Sequence, residues 1–455
     1  MLRLLEALIR WLCEALVRLY YPVRLVEGGE RIPRDRPVVF LLNHPNGLLD
    51  PMLLRIATGR PARFLAKSTL FGNPVGRLAM RAFGSIPVYR AHESGARGVD
   101  SSRNDDSFAR CRAALAAGEA LALFPEGVSH SDPQLRPLKT GAARIALSAE
   151  REVADGGRTL GALIVPVGLF YEHKTMFRSR VLLDVGEPLE TSAWLPRYRQ
   201  DERAAVDELT DEIKARLDAV VLQAETRELL AGIARVARWT ADQRPGDGDR
   251  AESADAALAA EHRYARELLS AYERLRARDP ARVEEVAAEA RAYARTLRHL
   301  GVRNPWGLEI ELISPGRVAY ALLEVAVAAP LAVVGAVLGW APYRLAGVVA
   351  PHVTDDEDII GTVKLIAGAV FLFISWAAEA VVAGVFLGAR WIVPAFAVAM
   401  ASGYVALRFH ELSREMREAL RHLWLRAFHF DVARRLGDRR RALAEAVARA
   451  LREAT

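Results

Sequence analysis

A chain of 455 residues with 26% charged and 51% hydrophobic residues has room for two or three domains. Its net charge of +6 is arginine-rich and gathers toward the C-terminus beside long apolar runs, which points to anionic lipid headgroups rather than nucleic acid. Two cysteines, Cys13 and Cys111, exclude a disulfide framework and a cysteine-rich zinc site, and suggest a reducing compartment or no redox requirement.

Residues 1–24 begin with MLRLLEALIRWLCEALVRLY, charged only at Arg3, Glu6, Arg10, Glu14 and Arg18. A narrow polar stripe near the helical period predicts an amphipathic helix. Its charges recur too often for a comfortable membrane span, and it has no signal-peptide cleavage pattern. It reads as an interfacial helix lying among headgroups, the alternative being a helix packed on its own domain.

Residues 25–200 alternate between strand and helix patterns. Strands are expected at 37–42, 62–66, 85–89, 120–124, 163–169 and 181–185, and helices at 52–57, 74–82, 107–117 and 141–149. The order implies an α/β domain with a mixed, mostly buried sheet and flanking helices, its functional groups on loops at strand ends.

Residues 201–312 read as a charged helical region whose solvated faces need no chemistry. One helix is expected over 202–241, a Pro/Gly/Asp-rich linker near 244–255, and two more helices over 256–277 and 280–300. Residues 313–408 hold apolar stretches at 318–340, 363–387 and 391–407, enough for a helical transmembrane region. Glu324 and Glu379 fall inside them and are expected to face other helices or water. The positive-inside rule puts the Arg-rich segments before 318 and after 408 on the same, cytoplasmic side, which three spans cannot satisfy. Either one stretch is re-entrant, around 341–351, or the tail is an exception. Residues 409–455 form a basic amphipathic tail of one or two helices.

The densest chemistry lies in Phe40-Leu-Leu-Asn-His44-Pro-Asn-Gly-Leu-Leu-Asp50-Pro-Met52. A histidine beside a carboxylate at the end of a buried strand can serve as a general base near neutral pH. The prolines at 45 and 51 bias His44 and Asp50 away from helical dihedrals. Asp50-Pro51 also has the form of an N-cap with proline at the first helical position. His44 should therefore leave the strand on a loop turning at Asn46-Gly47, with both side chains facing one cleft. The same residues equally fit a capped helix beside a polar loop, and spacing alone does not choose.

Three more short blocks follow: Gly84-Ser-Ile-Pro-Val-Tyr-Arg90, Phe124-Pro-Glu126-Gly127-Val-Ser-His130 and Val165-Pro166-Val-Gly168. In this order and spacing the four resemble the glycerolipid acyltransferase family, whose blocks read N-H-x4-D, G-x-I-P-V-x-R, F-P-E-G-T-R-S and V-P-V-x. The resemblance covers about residues 25–190. It implies that His44 deprotonates the acceptor hydroxyl and Asp50 orients it. Arg90 would bind the acceptor phosphate, and Glu126 and Gly127 would help form the acceptor pocket. Asn43 of the first block joins the substrate-binding residues, while Val165 and Pro166 would lie on the acyl side. Five residues separate His44 from Asp50 instead of four, and Val128-Ser129-His130 stands where T-R-S is usual. Both departures resemble the fungal-type glycerol-3-phosphate and dihydroxyacetone-phosphate acyltransferases, as do Leu138-Lys139-Thr140-Gly141, Phe177-Arg178-Ser179-Arg180 and, more weakly, Thr362-Val363-Lys364. With the block-three arginine gone, Arg90 must supply the positive charge, with Lys67 or Lys139 helping; an arginine fork suits phosphate.

Acyl transfer from a thioester needs a base, oxyanion donors and two substrates held together, and no covalent enzyme intermediate. The chain has no G-x-S-x-G turn, P-loop, G-x-G-x-x-G or H-E-x-x-H pattern, so no metal and no cofactor are expected beyond acyl-CoA or acyl carrier protein as co-substrate. The expected partners are a lipid membrane, that acyl donor, and glycerol-3-phosphate or a lysophospholipid; the active site should face the cytoplasm. The rivals are a lysophosphatidate acyltransferase, a non-catalytic lipid-binding scaffold, and a transport module in the apolar C-terminus.

Overall fold

A computed structural model describes residues 2–89, 101–241, 254–302 and 315–454. The chain divides into two compact units: Met1–Arg227 with Thr354–Leu365, and Glu228–Val353 with Ile366–Thr455.

The first unit runs α1 (Leu2–Tyr20), β1 (Val23–Glu27), β2 (Val38–Leu42), α2 (Leu49–Thr58), β3 (Ala62–Lys67), α3 (Pro74–Ala82), β4 (Ile86–Val88), α4 (Ser101–Ala116), β5 (Ala120–Leu123), α5 (Gly141–Asp155), β6 (Leu163–Tyr171), β7 (Arg180–Val185), β8 (Leu189–Glu190), α6 (Leu195–Gln200) and α7 (Glu202–Asp218). Every strand and helix expected before residue 190 is present. The sheet order is β1-β7-β6-β2-β5-β3-β4, with β8 on β6. Pairing is parallel except where β6 meets β7 and β8. Strand β2 is buried throughout, and its alternate residues feed two cores. Val38, Phe40 and Leu42 pack with α1, α2 and α3 through Val17, Leu53 and Met80. Val39 and Leu41 face α4, α5 and α7 through Leu115, Ile145 and Ile213. A strand covered on both faces reads as a continuous apolar run, as 38–42 does.

Two strands were not expected. Strand β1 pairs in parallel with β7, Leu25 opposite Leu182, so its partner lies far along the chain. The two-residue β8 is too short to carry a pattern. The expected helix over 202–241 is broken: α7 ends at Asp218 and α8 (Arg227–Thr240) begins after a loop. Tertiary contacts override the helical pattern there. Ala224 N–H donates to Pro133 O (3.0 Å), Leu135 N–H to Gln223 Oε1 (2.8 Å), and the Val220 carbonyl sits where a Cβ on Gly168 would lie. With Leu209, Ile213 and Leu217 of α7 in the second core, the α/β unit continues past residue 200 to Arg227.

Helix α1 packs on its own domain, the alternative to the interfacial reading, with an exposed apolar face. Two of its charges turn inward, Arg10 Nη1 donating to Ala82 O at 2.8 Å and Glu14 accepting from Arg55 Nε at 2.8 Å, while Arg3 and Arg18 stay exposed. Leu4 (76% exposed), Leu8 and Trp11 (65%) face outward, as an interfacial helix requires.

The second unit contains α8 from Glu228 onward, α9 (Ala254–Arg278), α10 (Pro280–His299), α11 (Pro315–Val353), the part of α12 (Glu357–Leu387) after Leu365, α13 (Ile392–Phe428) and α14 (Phe430–Ala454). The linker expected near 244–255 falls mostly outside the described residues. Three helical stretches are long and apolar enough to cross a membrane: Leu323–Val353, Glu357–Leu387 and Ala389–Arg414. Residues 341–351 continue α11 as helix, so no re-entrant turn occurs there. A Cβ on Gly335 would collide with Ser402 O, so glycine allows α11 and α13 to approach closely, as small residues do between membrane helices. Glu379 accepts from Ser375 Oγ at 2.9 Å. Glu324 is exposed, one residue inside Leu323–Val353.

The basic tail is two helices split at His429, and α14 spends its apolar stripe on α9 and α10, with Ala454 packing against Ala271 and Leu275. On α9, burial first, then Arg266 and Arg263, hold His262 down at about 3. An unfolded chain takes up that proton below about pH 6.5 and the folded one does not, so stability falls with pH between 6.5 and 3. Thermal unfolding in detergent at pH 7 and pH 5 should show a pH-dependent loss smaller by roughly 2 kcal/mol in His262→Leu than in wild type.

Candidate active site

The strands that carry the four sequence blocks run the same way, because β6, β2, β5, β3 and β4 are parallel. His44 follows β2 and Glu126 follows the adjacent β5. The carboxyl ends of parallel strands are where open α/β sheets place their sites.

His44 Nδ1 lies 2.8 Å from Asp50 Oδ2. Because a carboxylate only accepts, Nδ1 carries the proton and Nε2 keeps its lone pair. The imidazole stacks on Phe124, centroids 3.8 Å apart and planes 16° from parallel, and its side chain remains 14% exposed. Asp50 is wholly buried but does not cap a helix: α2 begins at Leu49 and puts Asp50 in its first turn. Its carboxylate reaches back over the loop instead. Oδ2 also accepts from Asn46 N–H (2.8 Å), and Oδ1 accepts from the Tyr171 hydroxyl. Burial first, then the Asp50 charge, push the Tyr171 hydroxyl well above its ordinary value, so it stays a donor. The turn expected at Asn46-Gly47 is present, Gly47 having φ +42°.

Glu126 is buried and fully engaged. Oε1 accepts from His44 N–H (3.3 Å), while Oε2 takes Arg136 N–H (2.8 Å) and the His130 ring nitrogen Nε2. His130 N–H closes the loop by donating to His44 O at 3.1 Å. Glu126 thus ties the third block to the His44 loop. A glutamine there must turn its NH2 toward the N–H of His44 or of Arg136, leaving a buried donor unmet. Glu126→Gln should cost about 1–3 kcal/mol in thermal or denaturant unfolding, and turnover should fall with it.

Gly127, at φ +77°, also needs its missing Cβ, since Lys139 lies over it with Nζ 2.5 Å from the position a Cβ would take. Lys139 therefore does reach the third block. Lys67 is exposed at the end of β3, opposite Val88 of β4, two residues before Arg90. Arg90 lies outside the described residues. The strand leading to it is pinned by Asn104, which bonds Tyr89 N–H (3.1 Å) and Tyr89 O (2.9 Å), and by Ser107 Oγ on Pro87 O (2.6 Å).

Three expectations change. Asn43, counted with the substrate-binding residues, spends its amide on Leu169: Oδ1 accepts the N–H (2.7 Å) and Nδ2 donates to the carbonyl (3.1 Å), bracing β2 against β6. Val165 and Pro166, assigned to the acyl side, are buried in the sheet; Val165 belongs to the core under α2, and Pro166 packs beneath Gly186. Meanwhile Tyr171, Tyr21, Asn46, His130 and Lys174 support the site without any local signal for it. Asn46 Nδ2 donates to Tyr21 Oη (2.8 Å) and Lys174 O (3.3 Å), and Lys174 Nζ contacts Ser131 Oγ. Burial pushes the Cys111 thiol up to about 12, so it is no nucleophile.

The acyltransferase family model matches residues 24–169. An uncharacterized acyltransferase of Schizosaccharomyces pombe is 25% identical over 303 residues, 48% of this chain and 44% of that protein. Glycerol-3-phosphate O-acyltransferase 1 of Saccharomyces cerevisiae is 35% identical over 127 residues, 27% of this chain and 16% of the yeast protein. A 1-acyl-sn-glycerol-3-phosphate acyltransferase of Chlamydomonas reinhardtii is 29% identical over 143 residues, 31% of this chain and 40% of the algal one. Residues 24–169 thus match the acyltransferase family model, and the relatives the chain aligns with include acyltransferases of glycerol-3-phosphate and of its 1-acyl derivative. The chain spans less than half the length of each of these relatives.

Proposed function

We propose that this protein is a membrane-associated O-acyltransferase of glycerolipid synthesis that moves a fatty acyl group from acyl-CoA or acyl carrier protein to the sn-1 hydroxyl of glycerol-3-phosphate or dihydroxyacetone phosphate. The observation that carries the reading is the 2.8 Å contact between His44 Nδ1 and the buried Asp50 carboxylate, inside a domain of the acyltransferase family. Nε2 takes the acceptor hydroxyl proton as its oxygen attacks the thioester carbonyl carbon. Collapse of the tetrahedral intermediate breaks the C–S bond, and the imidazolium returns the proton to the departing thiolate. No acyl-enzyme forms.

Phosphate recognition falls to Arg90 with Lys139 or Lys67. The outward apolar face of α1 and the apolar helices hold the domain at the cytoplasmic surface, where an acyl chain can stay in lipid. The glycerol-3-phosphate reading draws on the yeast relative and on the five-residue spacing between His44 and Asp50. The algal relative supports a second reading, acylation of lysophosphatidate. Purified protein, a radiolabelled acyl thioester and each acceptor in turn separate them. Acylated glycerol-3-phosphate supports the first reading. Product from lysophosphatidate alone favours the second, and no product with any acceptor leaves a lipid-binding scaffold.

A further inference from the structure

The segment Thr354–Leu365 holds the three residues between the first two apolar stretches and the first turns of the second, yet it is built into the catalytic unit. Gly361 lies against the catalytic loop: a Cβ there would come within 2.9 Å of Asn46 Oδ1, 3.2 Å of Lys174 O and 3.4 Å of Leu49 Cδ1. From the other side, a Cβ on Gly47 would meet Asp358 O at 3.1 Å and Thr362 Oγ1 at 3.7 Å. Two glycines thus let two backbones meet beside His44. The segment is held at both ends. Glu357 Oε2 lies 2.8 Å from Arg227 Nη1 and 3.8 Å from Lys174 Nζ, and Lys364 Nζ donates to Thr175 O at 3.2 Å. Thr362 is buried, and Leu365 packs against the α1–α2 core.

We propose that Thr354–Leu365 is a positioning strap for the catalytic base, acting through Asn46. The contacts form one chain. Gly361 limits the Asn46 side chain, Asn46 N–H donates to Asp50 Oδ2, and the same oxygen holds His44 Nδ1. Asn46 has little freedom to yield, being wholly buried with its amide on Tyr21 and Lys174. A displacement of the loop by a few tenths of an ångström to 1 Å is enough to spoil an attack geometry. The strap also fixes a topological parity. Residues up to Arg227 and residues 354–365 share one unit, so they lie on one face of the membrane, and the chain between them makes an even number of passages. Three single crossings are then ruled out.

The inference rests on the reading of His44 as the base, and one of its two tests needs no turnover. In sealed vesicles of the cysteine-free full chain, Asp355→Cys and Arg158→Cys, both exposed, should react with an impermeant maleimide from the same face. Labelling from opposite faces overturns the strap, whatever the enzyme does. In the acyl-transfer assay, Gly361→Ala should lower kcat by about 10–100-fold, with KM for the thioester within about twofold and an unchanged melting temperature. In an Asn46→Ala background the same substitution should cost less than about twofold, because the contact it crowds is gone. Equal losses in both backgrounds, or wild-type turnover in Gly361→Ala, overturn the proposal while leaving the acyltransferase reading intact. A wild-type chain inactive with every acceptor removes that reading, and the labelling result still decides the strap's position.

Discussion

Replacing His44 with alanine should lower acyl transfer by about two to four orders of magnitude, the scale of a lost general base. The acceptor hydroxyl is a poor nucleophile unless its proton leaves as the C–O bond forms, and no second base stands ready among the described residues. His130, the other histidine nearby, has Nε2 on the Glu126 carboxylate, while its Nδ1 accepts Asp132 N–H at 3.1 Å. The fold should survive. His44 N–H and O, which tie the loop to Glu126 and His130, belong to the backbone and remain in an alanine variant. What is lost is the stack on Phe124 and one of the donors to Asp50, about 1–3 kcal/mol in unfolding. The check is turnover with saturating thioester and acceptor, set beside a melting curve. Retained turnover in His44→Ala would move the base elsewhere and leave His44 as a packed loop residue.

The sheet and the placing of His44 were legible because they rest on local rules. A run such as Val38–Leu42, apolar on both faces, signals a central strand, and the Asn46-Gly47 turn follows from residue types that tolerate φ above zero. Parallel pairing then brings the His44 and Glu126 loops together with no further information. What escaped the sequence depends on distant partners. Tyr171 meets Asp50 across 121 residues, Asn43 meets Leu169 across 126, and Gly361 meets Asn46 from beyond an entire helical unit. Asp50 shows the limit of a local rule. Asp-Pro at a helix start favours an N-cap by about 1 kcal/mol, but three donors converging on one buried carboxylate outweigh it. The polar stripe of α1 misleads in a similar way. Its period is right, but Arg10 and Glu14 have partners on α3 and α2, so these two charges go inward while Leu4, Leu8 and Leu12 face outward.

Asp50→Asn should separate the two contributions of that carboxylate. Asn46 N–H can only donate, so the amide oxygen must take the Oδ2 position and the NH2 must take the Oδ1 position. There it faces the Tyr171 hydroxyl, which can turn and accept. The oxygen still receives the Nδ1 proton of His44, so the tautomer and ring orientation are retained and only the negative charge is lost. In a serine-protease triad the equivalent change costs about 10⁴-fold because it forces the wrong tautomer. Here the loss should be nearer 10²-fold, the share due to stabilising the imidazolium as the hydroxyl proton arrives. Asp50→Ala removes the acceptor altogether, leaves Asn46 N–H and Tyr171 unmet in a buried site, and should approach the His44→Ala rate with a lower melting temperature. Adding Tyr171→Phe to Asp50→Asn provides the internal control. The phenyl ring leaves the Asp50 Oδ1 without its donor in the single variant and the asparagine NH2 without a partner in the double one, so Tyr171→Phe should cost about 1–3 kcal/mol in either background. A 10⁴-fold loss in Asp50→Asn alone would mean that the amide has turned the other way and that His44 has lost its working tautomer.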